Sequence, residues 1–158
     1  MRTLAERLPE KLADWRPEGG RQALEVSDPE GGWTACVTAD HVEVLGARLW
    51  EVALRRAGAP APADLKARAG QVAARATGLL ENLRLLEVDP AQDVALLRSE
   101  APGQWGEGRF YYEVVLRGAG ATTVRRYQSA AAGQPRQQVP FTLTHEALGK
   151  LVRDLTGV

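Results

Sequence analysis

The sequence predicts an α+β fold, an antiparallel meander sheet covered by two or three helices. Three observations predict it. Short alternating apolar runs are separated by turn-rich clusters such as SDPEGG (residues 27–32) and DPAQD (89–93). Two amphipathic stretches, 64–82 and 144–156, carry apolar stripes at helical spacing. The chain has 158 residues, 44% hydrophobic and 25% charged, the balance of an ordinary globular domain with a core.

The first element is awkward. Leu4, Leu8 and Leu12 recur every fourth residue, but Pro9 interrupts them. A helix starting near Pro9, or a kinked one, reconciles the two. Leu24 and Val26 alternate with polar neighbours and lead through SDPEGG into a returning strand over 33–38. TADH (38–41) reads as a second turn, with Val42 and Val44 opening a third strand. Residues 46–57 fit a strand or a helix. Trp50, Val52 and Leu54 alternate with Glu51, Ala53 and Arg55, and Trp and Val favour the strand, with Trp50 expected in the core.

The run GAPAPAD (58–64) is the best internal boundary, dividing 1–58 from a larger 62–158 within one domain. Asp64 is placed to cap the following helix, whose stripe is Leu65, Ala69, Val72, Ala76, Leu79 and Leu80. Residues 84–99 form a hairpin about DPAQD, and 100–108 read as a loop. GRFYYEVVLRGAGATTVRRYQ (108–128) is a long hairpin, and 129–138 a polar loop. Thr144 caps the last helix, with Leu148, Leu151, Val152 and Leu155 inward and Gly157 ending it. The segments LEVSDP (24–29) and LEVDP (86–90) echo each other. The element order therefore fits a duplicated helix-plus-meander unit as well as a single run of strands.

The 109–128 hairpin allows two registers. A two-residue loop sets Glu113 opposite Arg126 and Tyr112 opposite Tyr127. A three-residue loop sets Val114 opposite Val124 and gathers Phe110, Tyr112, Val114, Leu116 and Val124 on one face. In the first, Tyr111, Glu113, Arg117, Thr122 and Arg126 form a polar outward face. Tyrosine and arginine dominate binding hot spots, so Tyr111, Glu113, Arg117 and Arg126 are the candidate binding residues.

Several chemistries lack their residues. Lys plus Arg and Asp plus Glu both number 20, without the basic excess of a phosphate binder. GRFYYEVVL does not match the RNA-binding strand pattern, and Glu107 and Glu113 would repel phosphate. One cysteine, Cys36, and two histidines, His41 and His145, make a poor metal set, so no metal and no cofactor is expected. Cys36 in WTACVT reads as a buried structural thiol, and His145 as a neutral or capping histidine at a helix start. No phosphate-cradling glycine loop precedes a helix, and no catalytic residues are assigned. No apolar run approaches the length of a membrane span, and no signal peptide is visible at the N-terminus, so a cytoplasmic protein without membrane contact is expected. The leading expectation is a non-enzymatic intracellular protein-interaction or docking module. A small-ligand binder or enzyme with a pocket hidden from sequence comes second, and nucleic-acid binding third.

Overall fold

The computed structural model describes every residue except 1, 59–63, 101–102, 106–107, 119, 130–133 and 158. The 59–63 boundary segment and the centre of the 129–138 loop thus lie outside the described residues. Three helices, α1 (Leu4–Ala13), α2 (Leu65–Arg75) and α3 (His145–Thr156), accompany ten strands. The strands are β1 (Gln22–Asp28), β2 (Trp33–Val42), β3 (Gly46–Arg56), β4 (Leu83–Asp89), β5 (Val94–Ser99), β6 (Gly103–Trp105), β7 (Gly108–Arg117), β8 (Ala121–Ser129), β9 (Gln137–Val139) and β10 (Phe141–Thr144). The fold is α+β with an antiparallel meander sheet, as the sequence predicts.

The sheet runs β1-β2-β3-β8-β7-β5-β4, and the short strands β10, β6 and β9 pair with β3, β7 and β8. The N-terminal meander joins the C-terminal one where β3 meets β8, through Val52↔Val124, Ala53↔Thr123, Leu54↔Thr122 and Arg55↔Ala121. The two echoing segments lie on β1 and β4, the outermost strands of this order. One face of the sheet is covered by the helices. One hydrophobic cluster takes Val37, Leu49 and Val52 from the first meander and Leu97, Val114, Leu116 and Val124 from the second. It joins them to Leu8, Leu12, Leu148 and Leu151 of the helices.

Helix α1 continues through Pro9. Proline in a helix interior costs about 3 kcal/mol. Burying Leu4, Leu8 and Leu12 offsets it, at roughly 1.5–3 kcal/mol each. Glu6 adds support at the helix start by accepting from the Thr3 amide at 2.9 Å. Pro9 cannot donate to the carbonyl of Ala5, four residues back. There α3 crosses closely: a Cβ at Gly149 would stand 2.9 Å from the Ala5 oxygen and 3.1 Å from Pro9 Cγ.

The second helix is shorter than its apolar stripe. Asp64 caps it, accepting from the amides of Lys66 and Ala67, but it ends at Arg75 rather than near 82. Ala76 leaves helical geometry at ψ 72°, and Thr77 and Gly78 are poor helix formers. The break turns Leu79 inward and leaves Leu80 at φ 62° and 95% exposed, off the stripe to which the sequence assigns it. In α3, Thr144 accepts from the Ala147 amide and Gly157 closes the helix in the left-handed region, both as expected.

Four strand expectations change. TADH is not a turn, since β2 runs on to Val42, and Val44 lies exposed in the turn before β3 instead of opening a strand. The register slips between Thr38 and Ala39 and again before His41, leaving Asp40 and Trp50 as the extra residues of facing bulges. Residues 103–105 are strand β6, and 137–139 are strand β9, where loops were expected. The 46–56 segment is a strand, as favoured. Trp50 is only half-buried, because its bulge turns it away from the core. Leu151 is fully buried, as expected.

Gly149→Ala should lower stability by about 1–3 kcal/mol, because a new methyl meets backbone on α1. Gly70→Ala, in mid-α2 with nothing within 4 Å of the added carbon, should raise it by about 0.5–1 kcal/mol. Urea melts of the two variants check both signs.

Candidate functional site

The face of the sheet away from the helices carries the polar chemistry. Its composition follows from the β7–β8 register, in which Tyr111 pairs with Tyr127, Glu113 with Arg125 and Arg117 with Ala121. The connection spans residues 118–120, so the three-residue register holds. Gly118 opens it at φ 58°, a left-handed conformation that glycine adopts at little steric cost. Tyr111, Glu113 and Arg117 therefore share the outer face. Thr122 and Arg126 do not. The extra loop residue shifts β8 by one and sends both to the helix-covered side. Thr122 is 1% exposed, while Arg126 sits 2.9 Å from Glu81 and over the Tyr112 ring at 4.3 Å. Arg126 is thus a structural partner of Glu81 and Tyr112, not a member of the outer surface.

Two of the remaining candidates are also less exposed than their face suggests. Glu113 is 7% exposed and Tyr111 9%. Arg98 Nε donates to Glu113 Oε2 at 3.0 Å, and Arg136 donates to both carboxylate oxygens. Arg136 also lies 3.8 Å from the centre of the Tyr127 ring, which stacks on Tyr111 with centroids 6.0 Å apart. Hydrogen bonding to Glu113 holds the Arg136 pKa above its ordinary value. Arg117 is exposed, with no acid partner among the described residues.

A second cluster follows on β2 and β3. Trp50 Nε1 donates to Asp40 Oδ2 at 2.9 Å, Arg48 Nε donates to Asp40 Oδ1 at 2.6 Å, and the Arg21 guanidinium lies 3.3 Å from the Trp50 ring centre. Gln138 of β9 donates to the Trp50 carbonyl at 2.6 Å. Between the clusters Arg125 Nε donates to Glu51 at 2.5 Å. Burial pushes the Asp40 carboxyl up, but the hydrogen bonds from Arg48 and Trp50 outweigh it and leave the pKa below the ordinary carboxylate value. Sequence reasoning missed Arg98, Arg136, Trp50 and Asp40 as members of this face. Arg98 had a readable signal, since on a predicted strand it alternates with the buried Ala95 and Leu97 and so falls on the outer face. Asp40 and Trp50 had none, because both sit in bulges.

Against these aromatic and arginine clusters, a hollow of about 290 Å³ is lined by Arg84, Arg98, Arg109, Tyr111 and Ser129, among others. Arg98 is tied to Glu113, whereas Arg84 and Arg109 have no carboxylate within ion-pairing distance among the described residues. Cys36 is half-buried on this face, and burial raises its pKa. His41 lies on β2 with Nε2 2.8 Å from Glu43. The imidazole of His145 starts α3 and packs its Nε2 2.7 Å from the Glu43 carbonyl, tying α3 to the β2–β3 turn. Among the described residues no three His, Cys, Asp or Glu side chains converge on a common point, and no helix is long and apolar enough to cross a membrane. Compared with protein-family models, curated proteins and solved structures, the chain matches none.

Glu113→Gln should destabilise by about 1–3 kcal/mol, because it leaves Arg98 and Arg136 facing each other over a buried neutral group. Arg117→Ala should cost under about 0.5 kcal/mol. Chemical denaturation of both variants separates the buried carboxylate from the free arginine.

The lowered folded-state pKa of Asp40 favours folding above the ordinary aspartate value of 3.8, and that contribution is lost as pH falls through the folded value. The stability gap between wild type and Asp40→Asn should therefore shrink on acidification below pH 3.8, measured by urea melts across that range.

Proposed function

We propose that this chain is a non-enzymatic intracellular protein-interaction module. It docks an acidic segment of a partner protein on the outer face of its sheet, around Tyr111. The observation that carries the reading is the excess of guanidinium over carboxylate beside a stacked tyrosine pair: Arg84 and Arg109 have no ion-pair partner among the described residues, and Glu100 is the one acid in the lining of their hollow. Glu113, the acid at the centre of this region, is already neutralised by two arginines and does not cancel them. Arginine and tyrosine combine contact area with directed donors, and a carboxylate is the natural acceptor for a guanidinium. Glu113, Arg98, Arg136, Glu51, Arg125, Asp40 and Arg48 are paired with one another and supply a rigid platform, while the free arginines and the ring edge supply the recognition.

A pull-down with the tagged chain tests this, run with and without nuclease and at rising salt. The expected result is a nuclease-resistant partner whose capture weakens with salt and disappears for Arg84→Glu with Arg109→Glu, while Tm stays within a few degrees. Capture that survives the charge reversal in folded protein would move the function off this face. Capture abolished by nuclease would favour nucleic acid instead.

A further inference from the structure

The sheet ends at β1 on one side and at β4 on the other, and the two edges are built differently. β4 carries a bulge between Leu85 and Glu87. β1 carries none: its 7 residues pair with β2 in one unbroken register, from Gln22↔Ala39 to Asp28↔Trp33. Its sequence, QALEVSD, holds no proline and no lysine. Along such a strand alternate residues direct their N–H and C=O groups away from the neighbouring strand. Among the described residues, no hydrogen bond outside the β2 ladder reaches the backbone of residues 23–27. Bulges, prolines and lysines are the usual means of blunting a sheet edge, so a straight edge without them is a template for a further strand.

A hollow of about 390 Å³ lies against this edge. Four consecutive residues, Leu24 to Ser27, line it. Their side chains alternate between the two faces, so a hollow that touches all four follows the backbone. Its other wall is the C-terminal half of α1 with the residues just after it. There Trp15, like Leu24 across from it, packs on the core yet stays half-buried, which leaves apolar surface for a further side chain to cover. The charges of the lining are uneven. Arg7 and Lys11 lie one turn apart on α1, and neither has a carboxylate within ion-pairing distance among the described residues. Arg7 Nε donates to the Arg2 carbonyl at 3.2 Å. Two acids also line the hollow. Glu25 lies 3.2 Å from Arg55, so Asp14 alone stands against the two cations.

We propose that the β1 edge binds an extended segment of a partner protein as an added strand. The segment carries an apolar side chain and, two residues along, a carboxylate. Its backbone pairs with the outward groups of β1, its apolar side chain lies on Leu24 and Trp15, and its carboxylate accepts from Lys11 or Arg7. Residues two apart share one face of a strand, and here that face is the one toward α1. A second copy of β1 fits less well: the side chains it would turn toward α1 are Leu24 and Val26, which offer Arg7 and Lys11 no acceptor. The site shares no residue with the Tyr111 face and does not rest on the docking proposed there.

The probe is the hexapeptide TVTETV, acetylated and amidated at its ends, titrated into the ¹⁵N-labelled full chain. The expected result is saturable amide shifts centred on residues 22–28, with a Kd on the order of millimolar because a short peptide loses its flexibility on binding. At saturation, hydrogen exchange should slow at alternate β1 amides. Two versions of the peptide, N-methylated at opposite alternating sets of amides, should separate: one binds and the other does not, because one set alone faces β1. Lys11→Glu should weaken TVTETV about tenfold with Tm within a few degrees, the loss of one charge-assisted contact at an exposed site. TVTKTV should bind the unaltered chain more weakly by a similar factor. Arg84→Glu with Arg109→Glu should leave peptide binding unchanged, which separates this site from the outer face. Shifts that do not saturate or that centre away from β1 would overturn the proposal. So would equal binding of the two methylated peptides, or unchanged affinity in folded Lys11→Glu. Sedimentation showing a dimer whose β1 amides are protected before peptide is added would overturn it too, by filling the edge with a second copy.

Discussion

The pairing of β3 with β8 is the constraint on which the rest of the molecule depends. Four residue pairs and one further bond, from the Arg56 amide to the Gly120 carbonyl at 2.8 Å, join two meanders that otherwise meet only through helices and short strands. On the inner side the junction sets Val52 and Leu54 beside Val124 and Thr122, so the apolar surface is continuous across it. On the outer side it sets Arg125 against Glu51, and this link joins the Trp50 cluster to the Tyr111 cluster. Because side chains alternate with a period of two, a slip of one residue here would bury Arg125 and expose Val124. The register is thus fixed by burial on one side and by charge on the other.

A single loop residue then decides what the outer face can contain. With two residues between β7 and β8, Arg126 would have joined Tyr111 outside. With three, it turns inward to Glu81, and Arg136, just before β9, neutralises Glu113 instead. The same geometry puts Thr122 where Arg68 of α2 can reach it, so the turn that sets the outer face also ties a helix to the inner one.

Much of the fold was legible in the sequence because the elements obey local rules. Alternation marked β1, β5, β7 and β8, Asp64 and Thr144 marked helix starts, and Gly157 marked a helix end. The departures have tertiary causes. Pro9 is tolerated because the leucine stripe and α3 outweigh it. The α2 stripe outran its helix because Leu79 and Leu80 fit either a continued helix or a break that buries one of them. Asp40 and Trp50 defeated a period-two reading because each is the extra residue of a bulge. The candidate site was half legible: Tyr111, Glu113 and Arg117 were assigned to one face correctly, while Arg126 hinged on a loop length that GAGA leaves open. Arg136 and the β9 strand carry no periodic signal, since three residues are too few to show one.

The close crossing of α1 on α3 bears on how the chain reaches this state. The two helices sit at opposite ends of the sequence, yet they pack against each other at Ala5, Pro9 and Gly149. Leu4, Leu8 and Leu12 are synthesised well before α3, which completes their cover. The β3–β8 pairing likewise spans almost half the chain. Contacts of such sequence separation carry a large loop-closure cost before they stabilise anything, which slows folding relative to a helical bundle of equal size. During synthesis the α1 stripe is therefore an exposed apolar segment, and the chain completes its core only once α3 has been made.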